Sequence, residues 1–267
     1  MISPTPEDEE ALEATKAPLM EHLIELRKRL IWGFLSFIVA FVISFYFSGA
    51  IFNFLVQPLH HALKGQSNDH LIYTALTEVF FTDVKIAMFG GLCLGFPFIA
   101  AQLWLFIAPG LYRHEKNAFL PFLVAAPIMF IAGAAFVYYV MLPFSIAFFA
   151  GYQVPTANGA MGIELQAKVG DYLDFVMRLM AAFGLTFQLP VVLSILAKIG
   201  IVNTSQLNSM RRYAYVALTA VAAVITPPDA LSMISLAVPL ALLYEFSIVC
   251  VWFIQKDKKK RDAEKAA

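Results

Sequence analysis

The sequence predicts an all-α membrane protein with six transmembrane helices and both termini on the cytoplasmic side. Three observations predict it. Hydrophobic residues make up 60% of the chain and charged residues 14%, where soluble domains are roughly a quarter charged, and mean hydropathy is +0.72. Apolar runs recur at about the 20 residues that a helix needs to cross some 30 Å of hydrocarbon. Lys and Arg gather on one side of those runs, as they do in short cytoplasmic loops.

Taken in order, residues 1–18 carry five acids, Glu7, Asp8, Glu9, Glu10 and Glu13, and three prolines. A cleavable leader starts basic and continues apolar, so this segment reads as a disordered acidic tail. Residues 19–255 form the membrane domain. Its spans run from Leu30 to Phe47, Val84 to Phe106, Ala118 to Phe149 and Phe175 to Leu196. The fifth apolar stretch, Tyr213 to Thr226, has only 14 residues before Pro227 and Pro228, about 21 Å of helix. The sixth follows from Leu231 to Phe253 after a short turn, so the last two helices form a tight hairpin. Residues 256–267 are a basic cytoplasmic tail suited to anionic lipid.

This arrangement puts fifteen of the 19 basic residues inside, counting six from Lys256 to Lys265, and leaves Lys64 and Lys168 outside and Lys85 and Arg178 within or beside spans. The 19 acids balance them, so nothing in the average charge calls for nucleic acid. The outer loops, 50–82 and 150–171, contain apolar pieces such as "IFNFLVQPL" and "LTEVFF" that are expected to lie along the membrane surface as a cap. Pro97, Pro127, Pro143, Pro190 and Pro239 fall inside spans, where they kink helices and open a concave surface. Cys93 and Cys250 sit in apolar runs and read as packed thiols.

The polar signals concentrate at the inner surface. In "MEHLIELRKRL", Leu19, Met20, Leu23, Leu26 and Leu30 recur at helical spacing and set Glu21 and Glu25 on a neighbouring face. Glu25 can pair with Lys28 or Arg29 one turn on. In "FIAPGLYRHEKN", Pro109 and Gly110 set a turn and Glu115 begins the next helix, where the backbone dipole favours an acid. Two inward carboxylates beside Leu19 and Phe106 suit two guanidinium groups, whose planar fork a lysine lacks. Within the bilayer, Asp174 and Arg178 are spaced to neutralise each other, and Lys85 can snorkel or pair with Asp83. Glu245 requires a partner or a proton. Gln188 is placed to bond a carbonyl freed by Pro190, and Asp229 to cap the last helix. His22, His60, His61, His70 and His114 form no metal spacing, and no phosphate loop or paired nucleophile and base appears. The reading is a binding and assembly component without cofactor or metal. The rival, a secondary transporter or proton conductor, rests on Lys85, Glu245 and the proline kinks, but no inverted repeat accompanies it.

Four segments in order, "HLIELRKRL" (22–30), "LWLFIAPGLYRHEK" (103–116), "FVMRLMAAFGLTFQLPV" (175–191) and "TPPD" (226–229), closely resemble the TatC family, core subunits of the twin-arginine protein translocase. The resemblance covers residues 19–255. It implies a cup-shaped six-helix fold in the bacterial inner membrane and a receptor for Arg-Arg signal peptides on folded cargo, driven by the proton-motive force. It also implies single-span TatA and TatB-type partners and oligomers of TatBC-type units. The family's signal-contacting acids fall on Glu25 and Glu115, with Arg27, Phe106, Pro109, Leu111 and Tyr112 beside them. Its outer-loop proline falls on Pro58 and its outer acid on Asp229. Where many relatives carry glutamate this chain has Gln188, so a proton-relay role does not transfer to that position.

Overall fold

The structure, a computed structural model, describes residues 6–63, 71–107, 120–154, 162, 165–226 and 230–266. Its elements are helices α1 (Pro6–Tyr46), α2 (Ser48–Leu63), α3 (Glu78–Ile107), α4 (Leu120–Phe136), α5 (Leu142–Ala150), α6 (Val169–Thr186), α7 (Leu189–Ile199), α8 (Thr204–Ile225) and α9 (Ala230–Ala266). Among the described residues, five stretches are long and apolar enough to cross a membrane: His22–Tyr46, Glu78–Phe106, Pro121–Ala150, Val169–Ile199 and Met233–Asp257. They coincide with five of the spans read from the sequence. Both end helices run on into the segments read as tails.

The prolines account for the breaks. A π-helical turn, Val137–Met141, joins α4 to α5 ahead of Pro143; its wider i→i−5 spacing makes room for a residue that lacks an N–H. Pro190 likewise divides α6 from α7 at a turn over Phe187 and Gln188. The last pair differs from the sequence expectation. Asn203 and Gln206 form a reciprocal capping box, which starts α8 at Thr204 instead of Tyr213 and makes the helix 22 residues long, about 33 Å. Tyr244 donates to the Leu207 carbonyl at 3.0 Å, and Thr204 Oγ1 to Gln255 Oε1 at 2.8 Å, lashing α8 to α9.

Close helix contacts follow glycine. A Cβ on Gly133 of α4 would lie 2.8 Å from the Phe183 carbonyl oxygen of α6, and one on Gly184 would lie 2.7 Å from the Phe130 ring. On α3, a Cβ on Gly91 would come within 2.9 Å of Phe41 Cα, so α1 and α3 pack backbone to backbone there. The main core brings α2, α3, α6 and α9 together through Leu55, Ile86, Leu173, Phe183 and Leu240.

"IFNFLVQPL" is helical, part of α2, and buries Leu55 and Leu59 in that core. Pro58 inside α2 cannot donate to the Phe54 carbonyl; the Tyr138 hydroxyl does so instead, at 2.9 Å, with its ring stacked on Phe54. Segments 50–82 and 150–171 are tied together by a two-way backbone bridge, Ile72 N to Ala167 O at 3.1 Å and Val169 N to Ile72 O at 2.9 Å. "LTEVFF" begins α3, and the carboxylate of its Glu78 accepts from the backbone N–H of Thr74 at 2.9 Å and of Gly170 at 3.1 Å.

Candidate functional site

The antiparallel packing of α1 on α3 decides which residues meet. It sets the first turns of the α1 span beside the last turns of α3, so Glu25 and Arg29 come to Gln102 and Phe106. The half-buried Glu25 accepts from Arg29 Nη2 at 3.3 Å, one of the two pairings its spacing suggested. Arg29 Nη1 reaches Gln102 Oε1 at 3.5 Å, and its buried Nε is unpaired among the described residues. These distances exceed the 2.7–2.9 Å typical of charge-assisted bonds, so the guanidinium is held loosely. Beside it the His22 ring stacks on Phe106 at a centroid distance of 4.3 Å. Arg27 points to the exterior.

Arg29, the partner of Glu25, lines an apolar groove of about 390 Å³ between α1 and α3 together with Leu26, Leu30, Phe34, Phe37, Leu103, Phe106 and Gln102. A carboxylate with spare acceptor capacity, paired to an arginine that lines an apolar groove, suits a ligand with a cationic start and an apolar continuation.

The other candidate residues distribute as follows. Leu19 lies on α1, its side chain outside what is described. Pro109, Leu111, Tyr112, Glu115 and Asp229 lie outside the described residues. Gln188 does not serve the carbonyl freed by Pro190; its Nε2 donates across to the Ala126 carbonyl of α4 at 2.8 Å, because the break after α6 turns the side chain toward that helix. Glu245 has the partner its depth demands: Arg211 Nη2 at 2.7 Å, with the Tyr215 hydroxyl also donating.

Asp174 does not neutralise Arg178. Lys85 of α3 reaches both its oxygens, at 2.9 and 2.6 Å, since α3 lies against α6 at that level and the flexible ammonium spans the gap. Nor does Lys85 pair with Asp83.

Two contributors escaped sequence reasoning. Gln102 sits within an apolar run and shows only when α1 is placed beside it. Glu78 had a local signal, an acid opening a helix three residues after Ala75, in capping register. Among the described residues, no cluster of His, Cys, Asp or Glu is arranged to hold a metal.

Comparison with known proteins agrees with this architecture. The family model for the Sec-independent protein translocase protein (TatC) matches residues 21–239. TatC of Magnetococcus marinus is 44% identical over 252 residues, covering 94% of this chain and 90% of the relative. TatC of Aquifex aeolicus is 37% identical, covering 93% and 100%, and that of Escherichia coli K12 is 36% identical, covering 86% of each. A crystal structure of the twin-arginine translocase receptor TatC superposes with a TM-score of 0.75 at 35% identity, covering 88% of this chain and 99% of the other. A second, in the detergent DDM, gives 0.75 at 38% identity, covering 85% and 98%. With most of its length matched in sequence and in fold, the chain belongs to the TatC family, and is a non-enzymatic, multi-pass subunit of the Sec-independent protein translocase in the bacterial inner membrane.

Proposed function

We propose that this TatC-family chain is the receptor for twin-arginine signal peptides, binding them at a cytoplasmic surface through Glu25 and Glu115. Arg27, Phe106, Leu19, Pro109, Leu111 and Tyr112 flank the two acids. One observation carries the reading: the Glu25 carboxylate already holds an arginine, the chain's own Arg29, which lines an apolar groove. A peptide guanidinium takes that place without new chemistry. An exposed Arg–carboxylate pair contributes only about 0–1 kcal/mol, so two of them select more than they hold. The apolar part of the signal peptide does the holding, at about 0.8 kcal/mol per buried CH₂.

In this reading α8 supplies a sixth span, with both termini cytoplasmic and the helices forming a cup. The outward side chains of α8, Tyr213, Val216 and Val224, then offer a docking face for single-span TatA and TatB-type subunits in TatBC-type assemblies. The bound signal nucleates that assembly, and the proton-motive force drives transport. The two solved relatives are described as twin-arginine translocase receptors, which supports the assignment. Lys85 and Glu245, two of the features behind the transporter reading, each have an ion-pair partner.

Photo-crosslinking of Arg-Arg and Lys-Lys signal peptides to the parent, Glu25→Gln and Glu115→Gln chains in membranes tests this. The parent is expected to capture the Arg-Arg peptide preferentially and each variant to lose that preference. Equal capture across all six combinations overturns the proposal.

A further inference from the structure

A second cavity, of about 520 Å³, opens between α1, α3 and α6, away from Glu25. Its walls are apolar, with Phe37, Met88, Leu92 and Met177 among them, and its polar edge is Lys85, Asp174 and Arg178. These charges lie inside spans. Lys85 comes seven residues after the start of α3 and Arg178 nine after the start of α6, some 10 and 14 Å along their helices at about 1.5 Å per residue.

The charges do not balance. Both oxygens of Asp174 are engaged by Lys85, and the exposed Arg178 has no hydrogen-bond or ion-pair partner among the described residues. A guanidinium at that depth finds an anion or water. The backbone bridge at Ile72 and Lys168 puts the starts of α3 and α6 at the same end of the bundle. Long helical side chains lean toward their helix N-terminus, so Lys85 and Arg178 lean toward one membrane face. Two cations and one carboxylate leave a single positive charge, which matches a phosphodiester monoanion, and the apolar walls match an acyl chain.

We propose that this cavity binds an anionic phospholipid, with Arg178 and Lys85 on its phosphate and one acyl chain against Phe37, Met88 and Met177. Arg178 contributes a planar fork to two phosphate oxygens. Asp174 keeps Lys85 in place and limits the site to a monoanion.

The test is native mass spectrometry of the full chain in detergent, titrated with dioleoylphosphatidylglycerol or dioleoylphosphatidylcholine. The basic run from Lys256 to Lys265 is kept in every variant as a constant background. The parent is expected to retain one phosphatidylglycerol about tenfold better than phosphatidylcholine, the scale of one charge-assisted contact. Arg178→Gln is expected to lose that difference at unchanged melting temperature, and Arg178→Lys to recover part of it. Asp174→Asn separates a lipid site from a purely structural ion pair: it frees Lys85 and is expected to hold the anionic lipid at least as well as the parent. The proposal is overturned by parent-like retention in Arg178→Gln, by loss of lipid in Asp174→Asn, or by oleate displacing phosphatidylglycerol at equal concentration.

Discussion

Glu25 and Glu78 are the same side chain used in opposite ways at the two ends of α3. Glu78 is clamped by backbone N–H groups from Thr74 and Gly170, which cannot leave without unwinding the junction of α3 and α6. Glu25 is held by one flexible side chain at 3.3 Å, its own neighbour one turn on. The two lie roughly 36 Å apart along the bundle, counting from Glu78 to the Gln102 level at about 1.5 Å per residue. A carboxylate satisfied by main chain fastens the fold, whereas one satisfied by a mobile guanidinium is free to exchange it.

Substitutions at each end sharpen the contrast. Glu25→Gln is expected to weaken binding of an Arg-Arg signal peptide by about tenfold, between an exposed pair and a charge-assisted bond, with an unchanged melting temperature; fluorescence anisotropy and a thermal melt read the two. Glu78→Gln should do the converse, lowering the melting temperature by roughly 2–4 °C while peptide affinity stays within error. If both variants melt alike, the distinction fails. Arg29→Gln removes the internal competitor, so affinity should rise by about two- to threefold, an effect that vanishes when Glu25→Gln is combined with it. The smallest change is expected for His22→Ala, which removes the stack on Phe106 and costs about twofold in affinity, seen in the same titration.

Much of this architecture was legible in the sequence, because apolar length and proline position are local properties. The five stretches with span character match runs read directly from residue order. The capping box at Asn203 was equally local and was passed over because the apolar run after Tyr213 dominated the reading. Partner choice was another matter. Asp174 has Arg178 one turn away yet pairs with Lys85, 89 residues distant in sequence, and Glu245 pairs with Arg211 at a separation of 34. Helical spacing reports only neighbours on one helix, while the ion pairs are settled by which helices abut. Gln188 shows the same lesson, since its bond crosses to Ala126. At the candidate site, the Glu25–Arg29 pair was readable from its spacing, whereas Gln102 and the His22–Phe106 stack required α3 beside α1.

The glycine seam between α1 and α3 carries a mechanical consequence. Where Gly91 admits the Phe41 backbone, the two helices are pinned at a point near one end of α1, about 24 Å from Glu25 along the helix. A lever of that length magnifies: a tilt of about 5° at the pin swings Glu25 and Arg29 together through roughly 2 Å relative to α3, enough to break the 3.5 Å reach from Arg29 to Gln102. A single methyl group added at Gly91 would therefore be felt most strongly not at the seam but at the far tip, where Arg29 reaches Gln102 and His22 stacks on Phe106.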